Sequence, residues 1–257
     1  MGETASVSKF VPDIVRIAYI DRRRANHTTV RKLLNRLLQP LGYRLERLSR
    51  FRQQLDLLLK RGTPLQFVQI GANDGVRFDD LYSMVTNARF SGIVVEPLPD
   101  LYQRLQLNYA DYPAIVPVNV AVHEREGSLP LYRVAPASLA RYPGWATGIA
   151  SFDRGHLLRH EIAPDDVIAQ DVQCVPLMTL LQRTGMLNAH LLQIDTEGYD
   201  AAILGMIDFA LFRPVVIKFE HKNMSAVVRD KTLQLLRANG YSCAAQGTDT
   251  VAWRAAD

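Results

Sequence analysis

Phe67-Val-Gln-Ile-Gly-Ala-Asn-Asp-Gly75 is an apolar run that stops on a glycine-bearing turn, and the segment after it, 78–87, carries helical spacing. A strand that turns on glycine into a helix is the opening unit of an open parallel sheet. Gly71 and Gly75 remove side chains where the backbone must turn tightly and a ligand must come close. Asn73 and Asp74 add polar side chains, and the expected helix offers its N-terminal N–H groups. Such a turn alone reports only geometry, because many strand-to-helix connections use glycine. Its meaning depends on what else reaches the same edge.

Outward from this turn, short apolar runs alternate with helical stretches, the pattern of a parallel sheet covered on both faces. Strands are predicted at Gln66–Ile70, Gly92–Glu96, Ile115–Val122, His190–Asp195 and Val215–Glu220. Helices are predicted at Phe78–Asn87, Pro99–Tyr109, Pro176–Thr184, Asp200–Met206 and Ala226–Asn239. Ser128–Val134 and Ile168–Cys174 read as additions to the sheet or a side hairpin. Tyr241–Ala245 and Thr250–Arg254, around Gln246-Gly247, read as an antiparallel hairpin closing one edge.

Two further strand ends give the turn its partners. Gly92-Ile-Val-Val-Glu-Pro97 ends on Glu96 about twenty residues after the turn, where nucleoside-binding α/β folds set an acid against the ribose diol. The turn lacks the GxGxxG spacing that a dinucleotide pyrophosphate needs. Leu191-Leu-Gln-Ile-Asp-Thr-Glu-Gly-Tyr-Asp200 delivers Asp195 and Glu197, and Pro214-Val-Val-Ile-Lys-Phe-Glu-His221 delivers Glu220 and His221. The carboxyl edge of an open sheet is where ligands bind, so Asp195, Glu220 and His221 are read as site residues. Asp200 is read as a solvated loop residue. His123, His156 and His160 are read as packing or surface histidines.

The chain of 257 residues, 48% hydrophobic, is long enough for one substantial core with an appendage. Residues 1–62 hold 14 Lys/Arg against 5 Asp/Glu and residues 63–257 hold 16 against 21, which marks a boundary near Gly62. The first segment is predicted helical, Val30, Leu33, Leu34, Leu37, Leu38 and Leu41 forming one apolar face. It is read as a helical cap, with a basic surface for peripheral contact with an anionic membrane as the other reading. No apolar run spans a bilayer and Met1–Lys9 has no secretory core, so a cytoplasmic location is expected. Cys174 and Cys243 suggest neither a disulfide framework nor a zinc site.

Assembled in order, these residues resemble the FkbM family of S-adenosylmethionine-dependent methyltransferases, from about Leu65 to Glu220. The matching residues are the turn at 71–75, Glu96-Pro97, Asn119-Val-Ala121, Ala150-Ser-Phe152, Val175-Pro-Leu-Met-Thr-Leu180, Ile194-Asp-Thr-Glu-Gly198 and Phe219-Glu220. Gln69 stands where family members often carry an acid. The resemblance implies a Rossmann-like class I fold: a mostly parallel seven-stranded sheet with a C-terminal antiparallel hairpin, preceded here by the N-terminal helices. It implies that Gly71, Asn73 and Gly75 line the amino-acid portion of S-adenosyl-L-methionine, with Gln69 and Asp74 also counted as cofactor-binding and the hold on the methionine end left open by Gln69. Glu96 and Pro97 would lie at its ribose and Asn119 and Val120 near adenine. Ser151 would belong to the covering loop, and Asp195 and Glu197 would flank the transferred methyl. The acceptors it implies are hydroxyls on sugars, lipid-linked glycans or glycosylated small molecules.

Methyl transfer to a hydroxyl is an in-line displacement that needs positioning and a proton acceptor. His221 is the expected base. Asp195 and Glu220 are the expected orienting acids, or, in the second route, ligands for Mg²⁺. Tyr142-Pro-Gly-Trp-Ala-Thr-Gly-Ile-Ala-Ser-Phe152 has the composition of a lid, with Tyr142 and Trp145 placed either to stack on a sugar or to pack a hinge. One rival is a nucleic-acid methyltransferase served by Arg22-Arg-Arg24, although no nucleic-acid module is recognisable and stable nucleic-acid binding is not expected. The other is a non-catalytic nucleoside-binding domain. A homo-oligomer is compatible with every reading.

Overall fold

The computed structural model describes residues 49–60, 64–77, 79, 81–86 and 90–255. The helix expected over 30–41 and the basic cluster at 22–24 lie outside the described residues. Ser49–Asp257 form one compact unit. It begins with helix α1 (Arg50–Leu59), thirteen residues before the charge boundary near Gly62. The Ser49 side chain caps α1 by accepting from the Arg52 N–H, and Phe51, Leu55 and Leu58 are buried.

The main sheet has seven strands. They are β1 (Leu65–Ile70), β2 (Phe90–Val95), β3 (Ile115–Val118), β8 (Leu191–Ile194), β9 (Val216–Glu220), β10 (Ser242–Gln246) and β11 (Asp249–Trp253). Their order is β10-β11-β9-β8-β1-β2-β3, parallel from β3 to β9, with β11 antiparallel to β9 and β10. This is the Rossmann-like architecture expected. The chain leaves β1 toward β2 on one side while β8 lies on the other, so the switch point falls between β1 and β8.

Strand periodicity divides each strand between two cores. Val68, Ile70, Leu192, Ile194, Ile217 and Phe219 pack against α5 (Leu177–Thr184), α6 (Asp200–Gly205) and α7 (Ala226–Ala238). Leu65, Phe67, Leu191, Val216 and Val251 face the other side, with Phe51 and Leu55 of α1 and Leu105 of α3 (Pro99–Asn108). On that second face the last turn of each strand changes character: Gln69 follows Phe67, and Gln193 follows Leu191. Gln69 and Gln193 are register partners on adjacent strands.

Two expectations change. Ile115–Val122 is not one strand: it breaks after Val118, and β4 (Ala121–Val122) joins a second, four-stranded sheet, beside the strand Val167–Val175. The two runs left open as additions or a side hairpin are β5 (Gly127–Val134) and β7 (Val167–Val175), which pair antiparallel there, with β6 (Ala150–Ser151) on the edge of β5. Arg133 of β5 is buried and ties this sheet to α3, its Nη2 donating to Asp100 Oδ2 at 2.9 Å. The glycine turn does not run straight into a helix either. The first helix after it among the described residues is the single turn α2 (Tyr82–Val85). The freed N–H groups of Val76 and Arg77 are instead taken by Asp74 Oδ1 at 3.0 and 2.8 Å.

Candidate functional site

A cleft opens at the carboxyl ends of β1, β2 and β8, lined on one side by Gln69, Gly71, Asn73, Glu96 and Pro97 and on the other by Val120, Leu131, Ser151 and Phe152. Gln193, Asp195 and Glu197 close one end, and Trp145 stands at the rim. The floor is the switch point. The walls belong to two different sheets, because the chain crosses from one to the other at Asn119-Val120. A second, shallower depression at the amino ends of β9 and β10, beside Phe209 and Arg213, gathers none of these groups.

Each expected residue has a definite place. Gly71 has φ +78°, and a Cβ there would stand 1.8 Å from the Asp195 carbonyl oxygen. Gly75 also has positive φ, but its Cβ would meet Leu105 and Tyr109, so it serves the packing of the turn on α3. Asp74 caps that turn and does not line the cleft. Glu96 is buried, and each of its oxygens accepts one backbone N–H at 2.9 Å, Oε2 from Asn73 and Oε1 from Leu98. Burial pushes its carboxyl up to about 7, against the pull of those two N–H groups and Arg133. Asn119 donates from Nδ2 to the Glu96 and Pro97 carbonyls at 2.8 and 3.0 Å. It fixes the loop that carries the acid, while Val120 lines the cleft.

The acids at the end of β8 and β9 form a tight group. Asp195 opens on the cleft, and its carboxyl is pushed up to about 8, first by the surrounding protein and then by the charges of Asp200, Glu220, Glu197 and Asp249. Glu220 is pushed up to about 7 by burial, then by Glu197 and Asp200. Asn223 bridges the group, donating to Glu220 Oε2 at 2.7 Å and to Glu197 Oε2 at 3.3 Å.

Asp200 is not solvated. It is wholly buried, accepting from the Thr196 N–H and hydroxyl at 3.2 and 2.7 Å and from the Glu220 N–H at 3.0 Å. It ties the loop after β8 to the end of β9. Asp200→Ala leaves the part-buried N–H groups of Thr196 and Glu220 without their acceptor and should cost about 2–4 kcal/mol of stability, read from the urea midpoint. A loss under about 1 kcal/mol would show that water replaces the carboxylate.

His221, the expected base, is not among the cleft residues. Its Nδ1 meets Thr250 Oγ1 at 3.0 Å and its backbone N–H donates to Thr248 O, so it fastens the end of β9 to the hairpin. Glu220 likewise stays behind the cleft wall. Of the three residues expected to be catalytic, the structure brings only Asp195 to the cleft. Tyr142 resolves as hinge packing, its hydroxyl donating to Asp166 Oδ2 at 2.6 Å. Trp145 is 41% exposed beside the cleft. Gly148 of the same loop comes so near the turn that a Cβ would stand 2.3 Å from Asn73 Nδ2.

Sequence reasoning missed Gln193, Asn223, His156 and His160. Gln193 had a legible signal, a lone amide inside the apolar run Leu-Leu-Gln-Ile, matched by Gln69 in Phe-Val-Gln-Ile. His156 and His160 carry the i, i+4 spacing of one helix face. They border Glu197, with His156 Nε2 3.3 Å from Glu197 Oε2. His123 does pack as expected, stacked on Tyr199 with ring centroids 5.0 Å apart.

A mostly parallel sheet of this strand order, with a C-terminal antiparallel hairpin and a cleft at its switch point, is the Rossmann-like fold of class I methyltransferases. The family model described as the methyltransferase FkbM domain matches residues 69–243, and the chain belongs to the FkbM methyltransferase family. The chain is similar to the FkbM methyltransferase of Methylobacillus flagellatus KT at 14% identity and a TM-score of 0.45, over 74% of this chain and 43% of that one. It is similar to the METTL16 methyltransferase domain at 14% identity and a TM-score of 0.45, over 89% and 80% of the two chains. It is similar to Aeropyrum pernix fibrillarin, solved with natively bound S-adenosyl-L-methionine, at 12% identity and a TM-score of 0.38, over 79% and 74%. No curated protein matches the chain.

Proposed function

We propose that this protein transfers a methyl group from S-adenosyl-L-methionine to a hydroxyl of a sugar or glycosylated acceptor. When bound, S-adenosyl-L-methionine supplies an electrophilic methyl on a sulfonium. Three features of the cleft suit such a nucleoside. Glu96 uses one lone pair of each oxygen on a backbone N–H and keeps acceptor capacity on both for a vicinal diol. Gln69 and Gln193 line the cleft on adjacent strands, each with a buried Oε1 that has no hydrogen-bond partner and would reach the ammonium of the amino-acid portion after a side-chain rotation. They take the place of the acid the family often has at Gln69. Gly71 lets the chain pass where any side chain would fill the space.

The observation that carries the choice of acceptor is the acidic end of the cleft. Asp195 and Glu197 line it and Glu220 stands behind them, and Asp195 is pushed up first by burial and then by its acidic neighbours, so the field there is negative. A phosphodiester backbone is repelled by such a mouth, whereas a polyhydroxylated neutral acceptor finds hydrogen-bond acceptors. Trp145 at the rim offers an apolar face to a sugar ring. In this reading Asp195, once ionised, accepts the acceptor's O–H and holds that oxygen toward the donor.

Asp195→Asn should lower turnover by about a hundredfold or more while S-adenosylhomocysteine affinity stays within about threefold, measured by initial rates and calorimetry. The decisive experiment incubates the full chain and labelled donor with glycan precursors, lipid-linked or free, and with RNA. Label in the glycan fraction supports the proposal; label in RNA, or nucleoside binding without transfer to any fraction, overturns it.

A further inference from the structure

Beside the cleft, His156 and His160 of α4 (Arg154–Arg159 and its C-cap) and Glu197 of the loop after β8 form the one group of three His, Cys, Asp or Glu ligand atoms gathered together among the described residues. Their ligand atoms lie within 4.8 Å of one another. Asp195 and Glu220, the pair considered for Mg²⁺, do not belong to it. We propose that His156, His160 and Glu197 bind a divalent transition-metal ion of the Zn²⁺ class at the edge of the cleft.

Donor chemistry selects the ion. Two imidazole nitrogens and one carboxylate oxygen suit Zn²⁺, Co²⁺, Ni²⁺ or Fe²⁺, whereas Mg²⁺ takes carboxylates and water. Bonds of about 2.0–2.1 Å set neighbouring tetrahedral donors about 3.4 Å apart. His156 Nε2 and Glu197 Oε2 already stand at 3.3 Å. His160 and Glu197 are only partly buried and need small rotations to close on the same point.

The ligands are held by their surroundings. Asp153 caps α4 by accepting from the Gly155 N–H at 2.8 Å, and the Arg159 side chain bonds Asp153 across the helix at 2.8 Å. His156 is 4% exposed, and its ring centroid lies 4.7 Å from that of His160. Glu197 occupies the left-handed region at φ 51°, its carbonyl accepting from Ser151 Oγ at 3.3 Å. A non-glycine residue held there marks a loop set by its surroundings. Asn223, bonded to Glu197, stands where an outer partner of a metal ligand belongs.

Three protein ligands leave positions for water or substrate, as catalytic zinc sites do. Glu197 is the ligand that lines the cleft, so an ion held there would stand at the cleft's edge. An oxygen of the acceptor would fill one of the open positions. That role rests on the methyltransferase reading; the binding of the ion does not.

The test uses the full chain freed of metal with EDTA and titrated with Zn²⁺ by calorimetry and with Co²⁺ by visible absorption. The expected result is one ion per chain, a Co²⁺ spectrum of nitrogen–oxygen coordination without a thiolate band, and Mg²⁺ binding at least about tenfold weaker. His160→Gln and Glu197→Gln should each weaken uptake by about tenfold or more, and His221→Ala should not. Near-ultraviolet circular dichroism of the metal-free variants checks that they fold, and either partner variant suffices. No uptake, uptake indifferent to both partner substitutions, or Mg²⁺ binding as tightly overturns the proposal. S-adenosylhomocysteine calorimetry on the same samples separates the two readings: donor binding without metal uptake removes the metal site alone.

Discussion

Gly71→Ala should yield a protein destabilised by more than about 4 kcal/mol, with no measurable affinity for S-adenosylhomocysteine in whatever fraction folds. Two effects add. At φ +78° an alanine carries backbone strain of about 1–2 kcal/mol. The larger effect is the new methyl, 1.8 Å from the Asp195 carbonyl oxygen and 2.8 Å from its carbon. Both contacts are main chain, so no rotamer relieves them. The ends of β1 and β8 must part by more than 1 Å, at the point where the Asp195 N–H donates to Ile70 O at 3.0 Å. Urea unfolding and calorimetry measure the two losses. A variant within about 1 kcal/mol of the parent would mean that the two strand ends do not approach this closely.

Glu96 gives the second large effect, and it depends on pH. Its carboxyl sits at about 7 in the folded chain against an ordinary 4.5, so between those values the fold holds a proton that the unfolded chain has released. The stability this contributes is complete below about 4.5 and is lost as pH rises through about 7. Nucleoside binding has the opposite sign. The diol donates to the ionised carboxylate, so binding below pH 7 must expel the proton, and affinity at pH 6 should be about tenfold weaker than on the plateau near pH 8. Glu96→Gln should flatten this profile and lower the plateau affinity by about a hundredfold, the worth of about two charge-assisted hydrogen bonds. Calorimetry with S-adenosylhomocysteine at four pH values decides it. A parent protein with no slope between pH 6 and 8 would remove Glu96 from the diol.

What the sequence disclosed follows from how far each signal reaches. The strands carry their own evidence, since runs such as Gly92-Ile-Val-Val95 are apolar on both faces, as a strand inside a covered sheet is, and their ends locate the cleft. The FkbM resemblance added the order of the acids. The break between Val118 and Ala121 was not legible, because Asn119-Val120 looks extended locally and only pairing with Val175 shows which sheet the next two residues join. The fates of His221 and Asp200 were hidden for a related reason. Neighbouring residues at a strand end point to opposite sides, and whether a side chain meets the cleft or Thr250 is settled by a hairpin residue 29 positions away. The histidine pair was visible as spacing but gained meaning only when Glu197, 37 residues beyond His160, was placed beside it.

The separation of the cleft walls into two ladders has an evolutionary reach. Insertions between Gly127 and Val175 can rebuild the rim around Trp145 without breaking a hydrogen bond of the seven-stranded sheet. Descendants of one such chain are therefore free to change what they modify while inheriting, unaltered, the grip on the molecule that supplies the carbon.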